Sequence, residues 1–427
     1  MQIHVVQAGD TIESIASQYG VNAERLAYDN QLGEISRLVT GQSLLILTPN
    51  VTHTVAEGDT KESIASQYGI SVKQLYRNNP YLVFQDTLTT GDVLVISYEG
   101  EKIREFVVGG YAYPFIDRNL LREILPFLTK LLVFSYGFTT DGELVEIDDE
   151  ELIALAKEYG VKPILTLTPL DQYGAFNSYL VSVIASNPEV QETLIQNLID
   201  VMQIKGYGGV DVDFEYIEGK DKEGYIGFIQ NLTTRMNELG YEVSIAVAPK
   251  ESDDFPGLLY EGIDYAALGE AANSVLLMTY EWGYTYSEPQ AVAPINKVED
   301  IIDYAVTRIP VEKIKMGIPN YGYDWRLPYE RGVTKAQSIG NLQAVQIAAD
   351  NGAVIQYDER AQSPYFNYTA DTIEHEVWFE DVRSLNRKFE LASNNELLGF
   401  GYWSLMKPFR ANWLLLNSMY DIIDENV

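Results

Sequence analysis

The 427-residue chain has no cysteine. That excludes a disulfide scaffold, a thiol nucleophile and any thiolate zinc or iron–sulfur site. Histidine is nearly as scarce, at three residues: His4, His53 and His375. Basic residues number 30 against 62 acidic ones, a formal charge of −32. Such a chain is repelled by phosphate backbones and anionic lipid, so neither nucleic acid nor membrane is an expected partner. No apolar run reaches the roughly 18 residues of a membrane span; the best, 124–138, is broken by Lys130. The first ten residues carry neither a basic nor an apolar signal region, so no Sec-type signal is expected. No P-loop, dinucleotide fingerprint or Gly-x-Ser-x-Gly elbow occurs.

What is present is aromatic and acidic. Tyrosine alone contributes 30 residues and aromatics 12%. Sugars stack their C–H faces on such rings, although plain core filling accounts for aromatics equally well. Apolar residues make up 46%, ample for large cores, and the length suggests about three domains.

The first hundred residues repeat. Val5–Gly20 returns as Thr54–Gly69 with an offset of 49, including Gly-Asp-Thr and Ser-Ile-Ala-Ser-Gln-Tyr-Gly in both copies. Each copy reads as strand, helix, helix, strand. The Asp-Thr start marks a helix N-terminus, Ile12, Ile15, Ala16 and Tyr19 give one apolar face, and Gly20 and Gly69 stand where a left-handed C-cap belongs. His4 and His53 are also 49 apart, so both belong to the repeat and His375 is left alone. A Ser–His–Asp triad or His-cluster metal site needs more, and no metal or cofactor is expected.

This repeat resembles the LysM module, a βααβ binder of N-acetylglucosamine glycans. The resemblance places glycan contacts at Gly9, Asp10, Thr11 and Ile12, and at Gly58, Asp59 and Thr60. The same residues could equally serve only to cap helices. Modules are expected over 1–48 and 52–98, with little linker and limited mobility.

From about 102 to the C-terminus, eight short apolar runs alternate with helical stretches: 106–111, 131–138, 163–168, 209–215, 243–248, 274–280, 314–319 and 398–405. That pattern predicts an α/β fold, a parallel (β/α)8 TIM barrel, with a small α+β insertion at about 320–381 after the seventh strand. Active sites of such barrels lie at the C-terminal strand ends. The fourth run reads Gly208-Gly209-Val210-Asp211-Val212-Asp213-Phe214-Glu215. Strand alternation puts the three carboxylates on one face and Val210, Val212 and Phe214 on the other. With the apolar face against the helices, the acids point into the barrel, where burial and mutual repulsion keep at least one protonated near neutral pH. A carboxylic acid held protonated at a barrel mouth is what glycoside cleavage requires.

Here a second resemblance becomes specific. The run is similar to the family-18 glycoside hydrolase motif Asp-Gly-x-Asp-x-Asp-x-Glu, matched at Gly209, Asp211, Asp213 and Glu215, with Gly208 in place of the first Asp. Met278-Thr279-Tyr280-Glu281 resembles the strand-six Met-x-Tyr-Asp, with Glu281 replacing the Asp, and Trp403 resembles the tryptophan that closes strand eight. The resemblance implies substrate-assisted, retaining hydrolysis. Glu215 is the implied acid/base, Asp213 orients the substrate acetamido group, Asp211 shares a proton with Asp213, Tyr280 binds the acetamido oxygen and Trp403 floors the sugar. Further candidates for the cleft are Tyr111, Tyr136, Glu281, Trp282, Asn320, Tyr321 and Asp324, with Trp378, Phe379, Glu380 and Asp381 returning from the insertion to the rim.

Two LysM-like modules before such a barrel resemble the bacterial spore cortex-lytic enzymes. The resemblance implies an N-acetylglucosaminidase on peptidoglycan, acting on cortex fragments during germination, made in the mother cell and deposited around the spore. A chitinase, or a non-catalytic binder of peptidoglycan or chitin, stays open as an alternative. The oligomeric state is not legible in the sequence.

Overall fold

The computed structural model describes residues 1–34, 37–171 and 173–425. Each N-terminal repeat is a two-stranded antiparallel sheet carrying two helices. Gln2–Val5 pairs with Ser43–Ile46, and Pro49–Thr54 with Val93–Tyr98. The first helices, Ile12–Tyr19 and Lys61–Tyr68, are capped by Thr11 and Thr60, whose hydroxyls accept the N–H of Ser14 and Ser63 at 3.1 Å. The expected glycine caps are there: Gly20 and Gly69 are both left-handed at φ 67°. The second helices are α1 (Ala23–Asp29) and α2 (Val72–Asn78).

The barrel follows. Its strands are β1 (Glu105–Ala112), β2 (Lys130–Phe138), β3 (Lys162–Leu167), β4 (Gly209–Asp213), β5 (Glu242–Val247), β6 (Ser274–Leu277), β7 (Ile314–Pro319) and β8 (Gly399–Trp403). Each pairs in parallel with its sequence neighbour, and β8 closes on β1. All eight expected runs are strands; β4, β6 and β8 end earlier than the apolar pattern, because the chain leaves the ladder to form the mouth. The alternation on β4 is as anticipated. Val210, Val212 and Phe214 enter the ring of core between strands and helices, with Phe214 stacked near Phe138, Tyr225 and Phe228.

The segment between β7 and β8 forms a five-stranded antiparallel sheet, with one helix, α3 (Asn341–Asn351), packed on it. The barrel ends on α4 (Arg410–Met419). The N-terminal modules are docked on this body through polar and apolar contacts. The core of module one is continuous with Ala344, Val345, Ala348 and Phe379 of the insertion. Module two reaches the opposite, N-terminal face of the barrel, where Arg77 donates to Pro126 O at 2.6 Å and Ile422 O at 3.2 Å.

Candidate active site

Glu215 lies just past the end of β4, and Asp211 and Asp213 lie on it, all on the face turned into the barrel. Asp211 is fully buried. It accepts the Tyr111 hydroxyl from β1 at 2.8 Å, and the Ser244 hydroxyl from β5. Its register partners are Thr166 on β3 and Ser244 on β5. Asp213, one step up the barrel, is 7% exposed, and its Oδ1 has no hydrogen-bond partner. Burial, then the charges of Glu215 and Asp211, push the Asp213 carboxyl well above the usual carboxylate range. Burial, and after it the charge of Glu281, also raises Glu215. An isolated buried carboxylate is costly, so Asp213 and Glu215 retain protons into a pH range where surface acids have lost them.

Tyr280 follows β6. Its phenol is pushed well above its ordinary value by burial and then by Asp213, Glu215 and Glu281, so it remains a neutral donor. Glu281 adopts φ 66°, a left-handed conformation uncommon outside glycine, asparagine and aspartate. Tyr321 donates to its Oε1 at 2.5 Å and Tyr323 at 3.0 Å. Tyr216, directly after Glu215, is left-handed too, at φ 56°. Backbone strain of this kind gathers where a fold holds side chains in place for function. Trp403 ends β8, fixed edge-on by Phe134 at 4.9 Å, Tyr111 at 5.6 Å and Tyr113 at 6.1 Å.

These residues border one open cleft of about 570 Å³, in the usual range for a small-molecule site. Asp213, Glu215, Tyr280, Glu281 and Trp403 line it, together with Tyr113, Phe134, Phe176, Tyr216, Tyr260, Met278 and Tyr284. Every charged residue in that lining is acidic. Among the described residues no group of acids and histidines is arranged to hold a metal ion.

Other sequence candidates fall behind the cleft surface. Tyr111 supports Asp211 from within the barrel. Asn320 is buried and donates to Ser404 O at 3.2 Å and Lys407 O at 2.8 Å, tying the loop after β8. Tyr321 reaches the site through Glu281, and Trp282 packs against the ring core. Tyr136 points outward, contrary to expectation: its hydroxyl donates to Asp149 at 2.5 Å, outside the barrel. Asp324 accepts from His375 and Tyr368 on the insertion sheet. Trp378 stacks on Tyr365 at 4.6 Å and Phe379 joins the module-one core. Glu380 pairs with buried Lys388 at 2.9 Å, and Asp381 caps the helix Val382–Asn394. The aromatic lining at Tyr113, Phe176, Tyr216, Tyr260 and Tyr284 escaped the sequence reading. Its one signal was position, since each follows the end of a barrel strand.

In the modules, Asp10 accepts the Gln7 N–H at 2.7 Å and faces His4 Nε2 at 3.0 Å; Asp59 repeats this with Ala56 and His53. Gly9 and Gly58 take φ 94° and 90°, Thr11 and Thr60 cap, and Ile12 opens the first helix. The tight loop is thus built alike twice.

The description "Glycosyl hydrolases family 18" matches residues 126–407. The chain belongs to this family. The LysM domain matches residues 4–47 and 53–97. The cortical fragment-lytic enzyme of Bacillus subtilis is 39% identical over 430 residues, 99% of each chain. The crystal structure of the Bacillus cereus spore cortex-lytic enzyme superposes with a TM-score of 0.84 at 34% identity, covering 99% of this chain and 98% of that one. A chitinase of Chromobacterium violaceum aligns with a TM-score of 0.68 at 26% identity, over 73% of this chain and 98% of its own.

Proposed function

We propose that the chain is a retaining N-acetylglucosaminidase that cleaves peptidoglycan, with spore cortex fragments as its substrate. The observation that carries the chemistry is the row Asp211–Asp213–Glu215, aimed into the barrel with two of its members held above the usual carboxylate range beside a neutral Tyr280. Family 18 departs from the two-carboxylate scheme by using the substrate's own acetamido group. In this reading protonated Glu215 gives its proton to the glycosidic oxygen, and the leaving sugar departs as an alcohol. The acetamido oxygen attacks the anomeric carbon from the opposite face and forms an oxazolinium ion. Asp213 accepts the acetamido N–H and balances that cation, with Asp211 sharing its proton, while Tyr280 donates to the acetamido oxygen. Glu215, now a carboxylate, takes a proton from water as it opens the ring, so configuration is retained. Trp403 supplies the apolar floor. The sites at Gly9–Ile12 and Gly58–Thr60 would hold the same polymer near the mouth and raise its local concentration.

The cortical fragment-lytic relative supports peptidoglycan as the substrate; the likeness to a bacterial chitinase favours chitin as a second reading. Digestion of purified cortex muropeptides, with identification of the new reducing end, separates them. N-acetylglucosamine at that end supports the first reading, and cleavage of chitin oligosaccharides alone supports the second. Glu215→Gln should lower kcat by about 10²–10⁴-fold, the span of general acid catalysis. Undiminished hydrolysis by that variant would remove the mechanism, and binding without hydrolysis by the native chain would make it a lectin.

A further inference from the structure

The two modules share a fold but not a setting. Module one is held by the segment that follows its second helix. The Arg410 N–H donates to the Gln31 side-chain oxygen at 2.6 Å, Arg37 donates to Ala349 O at 2.6 Å, and the Ile355 N–H donates to Thr40 O at 3.0 Å. The turn that ends this segment is sealed, since a Cβ on Gly41 would collide with the Ile355 carbonyl oxygen. In module two the corresponding segment begins at Pro80–Phe84, against the barrel helix Arg118–Ile124, and then turns to solvent. Phe84, Asp86, Thr87, Thr89 and Gly91 are exposed, and a Cβ on Gly91 would meet nothing within 4 Å. Phe84, at 49%, is the one exposed aromatic ring among the described residues of the two modules. The matching segment of module one, Gln31–Thr40, contains no aromatic residue.

A single exposed apolar side chain is ordinary on a protein surface. What sets Phe84 apart is its neighbourhood. Lys61 opens the first helix of module two, at the place where Ile12 opens that of module one. Its ammonium donates to Leu82 O at 3.1 Å and to Gln85 O. That tie draws Leu82–Gln85, with Phe84 between them, beside the Gly58-Asp59-Thr60 loop that directly precedes Lys61. A half-exposed ring thus stands next to a loop of exposed backbone, Gly58 and Thr60 included. A sugar asks for that combination, an aromatic surface for its C–H face and polar groups for its rim.

We propose that module two is the principal glycan-binding module, with Phe84 the platform on which an N-acetylglucosamine ring stacks beside Gly58–Thr60, and that module one serves mainly as the anchor seating the pair on the barrel. This rests on the reading above that the modules hold the wall polymer. Stacking removes the exposed part of the Phe84 ring from water, which favours binding. The module-one segment is already fixed at three points, is closed at its turn and offers no ring. Lys61 acts through the segment it ties down and is a positioning residue.

The test is co-sedimentation of the full-length chain with purified insoluble peptidoglycan, in a Glu215→Gln background so that the polymer stays intact. Phe84→Ala should weaken binding about ten-fold, the scale of losing a half-buried aromatic contact, with the melting temperature unchanged. Phe84→Trp should bind at least as tightly as the parent. Asp59→Ala and Asp10→Ala are a matched pair, because each aspartate accepts one backbone N–H at 2.7 Å and faces one histidine in its own module. Asp59→Ala should weaken binding about ten-fold and Asp10→Ala by less than about two-fold. Equal losses in the matched pair, or the larger loss in Asp10→Ala, overturn the division between the modules and leave the glycan reading standing. Full binding by Phe84→Ala overturns the platform. No loss in any variant overturns the glycan reading of the modules as well. Should an aspartate variant unfold, the comparison rests on the exposed position: a loss in Phe84→Ala that Phe84→Trp does not show supports module two, and equal binding by both overturns it.

Discussion

Asp213 holds its proton because the fold denies the carboxylate both water and a base, and this has a consequence for stability. Its pKa is raised in the folded state above the unfolded value, so the native protein binds more protons than the unfolded chain. Stability then falls as pH rises from the unfolded pKa, near 3.9, through the folded one. Asp213→Asn removes that dependence. The variant should melt a few degrees higher than the native chain at pH 7 while losing most activity, and the advantage should vanish near pH 4; calorimetry at both pH values checks it. Glu281 acts on the same row from the other side. Its charge raises Glu215, so Glu281→Gln should draw the alkaline limb of kcat/KM to lower pH, where the acid loses its proton sooner. An alkaline limb that stays in place would show that Glu281 serves only to contact sugar. At this scale much was legible in the sequence. A strand with acids at alternate positions needs no coordinates to show that they share a face. What could not be read was reach. Tyr111 looks like a cleft residue by position, yet lies buried beneath it, and Tyr136 points outward because β2 alternates with the opposite phase at that site.

Elements were legible to the degree that their pattern was local. The eight strands announced themselves as apolar β-branched runs, and the module helices through caps and glycines. Contacts between distant elements carry no such signature. The Arg77 side chain is one of five Lys and Arg residues in the modules by sequence, along with Arg25, Arg37, Lys61 and Lys73. In the structure four of them are turned into interfaces, and Lys61 stays within its module, donating to Leu82 O at 3.1 Å. Arg25 reaches Asn78 O at 2.6 Å, Arg37 reaches Ala349 O at 2.6 Å, and Lys73 reaches Leu128 O and Gly160 O at 3.0 and 3.1 Å. Arg77 is 2% exposed and also pairs with Asp424 at 2.5 Å. Arg77→Ala leaves the Pro126 and Ile422 carbonyls without this donor and should cost about 2–4 kcal/mol. Equilibrium denaturation should show it, together with faster proteolysis between module two and the barrel. The second element-scale contact is a glycine. Gly41 sits at φ 86° with its backbone against Ile355, and a Cβ would meet the Ile355 carbonyl oxygen at 1.8 Å. Gly41→Ala should therefore loosen module one from the insertion, with hydrogen exchange rising at the Ile355 amide, which donates to Thr40 O at 3.0 Å.

At the scale of the whole molecule, the modules differ from binding domains on flexible tethers. Leu45 and Leu47 of module one belong to the same apolar cluster as the barrel, and Ile15, Leu26 and Leu44 share a cluster with the insertion. Arg410 at the start of α4 donates to Tyr28 O at 2.6 Å and stacks over the Tyr28 ring at 3.8 Å, while Gln74 of module two reaches Asn417 near the end of the same helix at 3.0 Å. One helix of the barrel thus braces both modules and holds them at set positions relative to the barrel mouth. A tethered module can be removed with loss of polymer binding alone. Here, removing residues 1–98 uncovers the apolar faces of α3 and the β8–α4 region, and takes away the module carbonyls of Tyr28 and Gly41 to which Arg410 and Arg383 donate. The full chain should therefore melt in a single calorimetric transition. The barrel without its modules should melt several degrees lower and show higher binding of a hydrophobic dye, even when assayed on a soluble oligosaccharide too short to touch any module. If the truncated barrel keeps the native melting temperature and differs only in its affinity for insoluble wall, the docking contacts contribute nothing to stability and the modules act as tethers after all.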